Sequence, residues 1–140
     1  MSKIVVGVDA SLHARAALRW AIEEAVLRKV DVIALHTFNL VPGGLGVVPS
    51  YVDLRPAATS LLEEEVGKAV AEVGADVTIR SVVVVGDAGT ALVRTGEPDD
   101  LIVVGSRGHG ALVGALLSST SHYVASHAQC PVVVVRAPRP

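Results

Sequence analysis

Aromatic side chains are scarce in this chain. One Phe, one Trp and two Tyr supply only 3% of its 140 residues. A platform that stacks the bases of single-stranded nucleic acid needs several such rings, so the composition argues against one. Excess positive charge is missing as well: 12 Lys and Arg face 14 Asp and Glu, for a formal net charge of −2. No basic field exists to hold a polyanion, and no nucleic-acid partner is expected. A small phosphorylated ligand stays open, because local backbone dipoles hold phosphate without a basic surface. Cysteine is confined to Cys130, which excludes a disulfide within the chain. Apolar runs break off short of a membrane span, so no membrane partner is expected. The opening MSKIVVGVDAS reads as a strand rather than a signal peptide, and a cytoplasmic protein is the expectation.

Small apolar residues are plentiful instead. Hydrophobic residues make up 51% of the chain and charged residues 19%, a balance that predicts an ordered globular domain. The length suits one domain over residues 1–140, with a core of Val, Leu, Ile and Ala.

Strand and helix signals alternate along the chain. Residues 3–8 read as a buried strand, and Asp9 or Ser11 is placed to cap a helix over residues 12–29. Residues 30–38 read as a second strand. Residues 39–49 carry Pro42, Gly43, Gly44, Gly46 and Pro49 and read as a loop. A helix follows over residues 54–73, starting as late as Pro56, with Glu63–Glu65 as a solvated face. A third strand covers residues 75–85, and Asp87 caps a short helix that Gly96-Glu97-Pro98 stops. Residues 100–104 form a fourth strand. A helix from Ser119 to His127 and a fifth strand from residue 131 to 135 complete the pattern. Such alternation predicts an α/β doubly wound parallel sheet with helices on both faces. Ligands of these sheets bind beyond the carboxyl ends of strands, where the strand order reverses.

The segment LIVVGSRGHGALVGALLSSTS, residues 101–121, is the chemical centre of the sequence. Its glycines let backbone approach a ligand, and its hydroxyl run stands at a helix start, where free N–H groups attract anions. It lacks the lysine of a Walker loop, which rejects a P-loop NTPase. Gly108, Gly110 and Gly114 come close to a dinucleotide fingerprint, but the next strand ends in Val135-Arg136 rather than an acid. A connection that only permits tight packing is the plain alternative. The histidines at 13, 36, 109, 122 and 127 have no spacing that suggests a metal site, and no metal ligand is assigned. Cys130 reads as an inert thiol. No catalytic constellation stands out, so an enzyme is not expected.

The chain resembles a single-domain universal stress protein over nearly its whole length. IVVGVDAS, ALHTF and DLIVVGSRGHGALVGALLSSTSHYVASHAQCPVVVV carry the likeness. The resemblance implies a Rossmann-like sheet of the adenine nucleotide alpha hydrolase type, with strand order 3-2-1-4-5. The ATP-binding branch of that family has G-x2-G-x9-G followed by Ser or Thr. Gly105, Gly108 and Ser119 match, and Ser118 stands where the third glycine is expected. If that position needs positive φ, serine is strained there. If it needs only close approach, serine blocks a phosphate or adds a hydroxyl contact.

Position by position, the resemblance implies that Asp9 contacts the nucleotide and that Gly7 and Thr37 line the base and sugar. It puts Val104 and Gly105 beneath the nucleotide, Arg107 and Gly108 at the first phosphate turn, and Ser118, Ser119, Thr120 and Ser121 around the phosphates. The implied ligand is ATP, or AMP or a cyclic nucleotide, with Mg²⁺ held through the phosphates. The final strand, Val132–Val135, starts after Pro131 and predicts a bare apolar edge that pairs with a second copy. A dimeric stress-response regulator with an unknown protein partner is the leading reading. A stress protein that binds no nucleotide and acts as an interaction module is the alternative.

Overall fold

The structure is a computed structural model that describes residues 1–43, 50–107 and 117–138. Five strands form one parallel sheet: β1 (Lys3–Gly7), β2 (Asp31–Phe38), β5 (Ile79–Val85), β6 (Leu101–Gly105) and β7 (Val132–Val135). Their order is β5-β2-β1-β6-β7, which is the expected 3-2-1-4-5 when the sheet's own strands are counted. Among the described residues four helices connect them: α1 (Leu12–Arg28), α2 (Arg55–Val73), α3 (Ala88–Thr95) and α4 (Ser119–His127). The remaining strands, β3 (Val41–Gly43) and β4 (Ser50–Val52), pair antiparallel in a separate ribbon.

That ribbon corrects the reading of residues 39–49 as loop throughout. Proline is tolerated there because a two-stranded ribbon consists only of edges, and Pro42 withholds no N–H from a sheet interior. Two further readings are corrected. The third strand of the sheet begins at Ile79 rather than residue 75, after Gly74 closes α2 with φ 66°. Glu65 is not part of a solvated face: it is buried, and both its oxygens accept from the Arg15 guanidinium across the α1–α2 contact. The neighbouring Glu63 and Glu64 are exposed as read.

Strand alternation divides the core in two. Ile4, Val6, Val32, Ala34, Leu101 and Val103 face α1 and α2. Val5, Ile33, Leu35, Ile102 and Val104 face the other way, toward Leu92 of α3 and Val124 of α4. Alanines at 14, 16, 17, 21 and 25 let α1 lie close on the sheet, which is how a core with few rings is filled. On the opposite face α3 and α4 pack against each other. A Cβ on Gly89 would stand 2.9 Å from the Tyr123 ring. That ring in turn stacks on His127 at 4.1 Å.

The amino end of the sheet is closed by an ion pair. Lys3 donates to Asp100 at 2.6 Å, and the same carboxylate oxygen accepts the Glu97 N–H. Burial pushes the Asp100 carboxyl up, but the Lys3 and Glu97 hydrogen bonds with the Lys3 charge outweigh it and hold the group below its ordinary value. Cys130 lies near this end, half-buried. Its thiol is pushed up by burial first and by the Asp100 charge, which favours the unreactive protonated form.

Candidate functional site

The strand order reverses between β1 and β6. From β1 the chain moves outward to β2 and β5, whereas β6 leads to β7 on the opposite side. The register Val6↔Val103 brings the two strands to their carboxyl ends side by side. The turn after β1 and the segment after β6 therefore border one crevice.

On the β1 side, Ser11 is the N-cap of α1 and its hydroxyl accepts from the Ala14 N–H. Asp9 is half-buried and its Oδ1 accepts from the Ser11 N–H at 2.8 Å, which fixes the turn. His36 of β2 supports the same turn from beside it. Its Nδ1 lies 2.7 Å from the Val8 carbonyl, which only accepts, so the ring donates there. Thr37 follows on β2, half-buried and in register with Val84.

On the β6 side, Ser118 is the N-cap of α4. Its φ is −70° and its ψ 165°, an extended conformation that serine adopts without strain. Its hydroxyl accepts from the Ser121 N–H, the third donor of the helix. The Ser119 and Thr120 N–H groups, the first two donors, have no acceptor among the described residues. Two uncommitted N–H groups at the positive end of a helix dipole are suited to an anion. Ser119 is exposed and Thr120 half-buried, so this end is accessible.

Several predicted residues serve packing. Val104 is 2% exposed and its side chain belongs to the core under α3 and α4, which leaves its backbone as the part that can face the crevice. Gly7 lies beneath Leu92, where a Cβ would come within 3.1 Å of Cδ1. At Gly105 a Cβ would stand 2.7 Å from the His13 carbonyl carbon and 2.8 Å from the Ala14 nitrogen. The first turn of α1 occupies that space, and glycine is required there to admit backbone. Ser121 is fully buried, and its hydroxyl donates inward to the Ser118 carbonyl at 3.1 Å. Arg107 is exposed. Gly108 lies outside the described residues.

Sequence reasoning missed Ser106. Its side chain and backbone together meet three other segments: Oγ is 2.9 Å from His13 Nδ1, the carbonyl accepts the Ser118 N–H at 2.7 Å, and the N–H donates to Val135. Ser106 and His13 are 93 residues apart, so no local spacing signals the pair. Among the described residues, no group of three His, Cys, Asp or Glu could hold a metal ion, and no helix is long and apolar enough to cross a membrane.

Comparison with known proteins agrees with this geometry. The sequence model described as "Universal stress protein family" matches residues 1–136. A universal stress protein of Mycobacterium tuberculosis is 36% identical over 137 residues, covering 95% of this chain and 44% of the relative. The chain spans about half the length of the curated relatives it matches. Among solved structures, a universal stress protein in complex with cAMP has a TM-score of 0.71 and 25% identity, covering 98% of each chain. The universal stress protein from Archaeoglobus fulgidus in complex with dAMP has a TM-score of 0.65 and 27% identity, covering 96% of this chain and 98% of that one. The matched length, the reversed strand order and the glycine-to-hydroxyl segment after β6 agree, and the chain belongs to the universal stress protein family.

Proposed function

We propose that this chain binds an adenine nucleotide, ATP foremost and AMP or a cyclic nucleotide by the same contacts, in the crevice between β1 and β6. One observation carries the reading: the Ser119 and Thr120 N–H groups, without an acceptor among the described residues, open α4 beside the turn that holds Asp9. The relatives crystallised with cAMP and dAMP support the choice of adenine. The phosphates sit at the α4 start with Ser118, Ser119 and Thr120 around them and Gly105 and Arg107 on the approach; the family motif adds Gly108, outside the described residues, as a phosphate contact. Ser121 contributes by holding the cap. Gly7, Val104 and Thr37 shape the floor and the base and sugar end. Mg²⁺ bound with the phosphates would neutralise their charge, and Asp9 at the β1 exit is the carboxylate that would help hold it there. The domain over residues 1–140 acts in the cytoplasm by binding rather than turnover, as a stress-response regulator whose protein partner reads its nucleotide state.

The outer edge of β7, unpaired among the described residues, carries dimer formation in this reading. Pro131 and Val135 direct their carbonyls toward β6, so alternation turns the Val132 and Val134 backbone groups to the open side. Val134→Pro removes an outward N–H without touching the ladder, and sedimentation should show a dimer converted to a monomer.

The test of nucleotide binding is direct. Gently purified protein, heat-denatured, should release an adenine nucleotide, and AMP or ATP should titrate the stripped protein. Asp9→Ala should weaken that titration about tenfold, the scale of a hydrogen bond to a charged group. A chain that releases none and titrates with none is the nucleotide-free interaction module.

A further inference from the structure

The crevice is joined to the far side of β7 by a chain of hydrogen bonds centred on one imidazole. The Ala137 N–H donates to His13 Nδ1 at 2.8 Å. A backbone N–H has no other role, so Nδ1 carries a lone pair and the ring is the neutral tautomer with its proton on Nε2. Ser106 Oγ lies 2.9 Å from the same nitrogen and, facing a lone pair, donates to it. The Ser106 carbonyl then accepts the Ser118 N–H at 2.7 Å.

Four segments meet at this junction: the first turn of α1, the exit of β6, the start of α4 and the chain leaving β7. Their contact is close. A Cβ on Gly105 would collide with the His13 backbone, so α1 and the β6 exit cannot shift independently. Ser106 is 2% exposed and Ser121 fully buried, which removes water as a substitute partner.

We infer that His13 and Ser106 are positioning residues for the phosphate end of the crevice, and that they couple the seating of α4 to the segment leaving β7. The inference rests on the nucleotide reading for its ligand half. Neither residue touches the ligand. Ser106 holds the backbone on which the α4 cap rests, and His13 holds Ser106 and Ala137 with one lone pair. An anion drawn to the Ser119 and Thr120 N–H groups tightens the cap, and the junction passes that constraint to Ala137. By linkage, loosening Ala137 weakens the anion site to the same degree.

The test uses the full chain, AMP as the probe, and amide hydrogen exchange. Without ligand, His13→Phe keeps a ring but loses the acceptor, and Ala137 should exchange about tenfold faster, as expected for loss of one net hydrogen bond. His13→Asn places an amide oxygen near the former Nδ1 and should return exchange to within about twofold of the parent. The parent imidazole should give ¹⁵N shifts of an unprotonated Nδ1 and a protonated Nε2. Saturating AMP should slow Ala137 exchange in the parent and in His13→Asn but not in His13→Phe, with AMP affinity following the same order. Ser106→Ala removes only a hydroxyl and should uncouple Ala137 from AMP in a chain that keeps its fold. Unchanged Ala137 exchange in His13→Phe, or AMP slowing that persists in Ser106→Ala, overturns the coupling. If the parent does not bind AMP, the nucleotide reading and the ligand half fail together, and the exchange data without ligand still judge the junction.

Discussion

The two ends of the parallel sheet use polar groups in opposite ways. At the amino end, Lys3 and the Glu97 N–H converge on one oxygen of Asp100, a side chain with no exposed surface. The other oxygen, Oδ1, has no partner among the described residues. At the carboxyl end the start of α4 leaves two N–H groups without an acceptor among the described residues, and Asp9 engages one oxygen in its own turn. Buried polar groups at one end hold the strands in place. Accessible polar groups at the other are left for a ligand. The difference follows from exposure: a desolvated charge is tolerable only when paired, whereas an exposed donor can wait in water.

The largest expected effect breaks the amino end. Lys3→Met leaves Asp100 buried without its cation and should cost about 3 kcal/mol, read from the urea midpoint. AMP affinity measured where the variant is folded should stay near the parent value. The depressed Asp100 carboxyl contributes stability above its ordinary value of 3.8, lost as pH falls through its still lower folded value. In Lys3→Met, burial acts unopposed by the cation and the carboxyl takes a proton earlier. The stability gap between parent and variant should therefore be widest near neutral pH and narrow on acidification. A gap constant from pH 7 to about 3 would deny the ion pair this role.

A mid-sized effect belongs to the carboxyl end. Gly105→Ala forces a methyl into the α1 backbone and should cost about 1–3 kcal/mol by overpacking. Unlike Lys3→Met, it should also displace the first turn of α1 and weaken AMP binding. Equal AMP affinity in the two variants would erase the contrast between the ends.

The smallest effect sharpens the contrast. Ser118→Ala removes the cap and should cost about 1 kcal/mol, while Ser118→Gly should cost only a few tenths. Because Ser118 already has an extended backbone, glycine has no strain to relieve. A thermal melt in which Ser118→Gly is more stable than the parent would contradict that conformation. AMP titration of the same variant asks separately whether the serine side chain limits the approach of a phosphate.

Much of this fold was legible in the sequence because it rests on local signals. The Val and Ile runs, the Asp87 cap and the hydroxyl run before α4 each report on a few neighbouring residues. The alternation of strand and helix then restricts the topology. What escaped depended on pairs distant in sequence. Lys3 and Asp100 are 97 apart, and Asp100 reads locally as the first residue of a strand. The ribbon of β3 and β4 was hidden by glycines and prolines that suit a loop equally well. In the site, Asp9 and the start of α4 could be placed because caps have a local grammar. Val104 and Ser121 were expected at the ligand, but strand and helix phase turn their side chains into the core. Gly105 was identified for close approach, and the element that approaches it is α1.

The contact between Gly89 and Tyr123 bears on the thermodynamics of the site. Because α3 has no side chain there, the Tyr123 ring settles against it and wedges α4 in place from the face opposite α1. The N–H dipoles at the start of α4 are thus oriented before any anion arrives. Binding at this end need not organise a helix, so its entropic cost falls mainly on the ligand and displaced water. A larger residue at position 89 would leave the dipoles chemically intact and still raise that cost, by letting the helix that carries them wander.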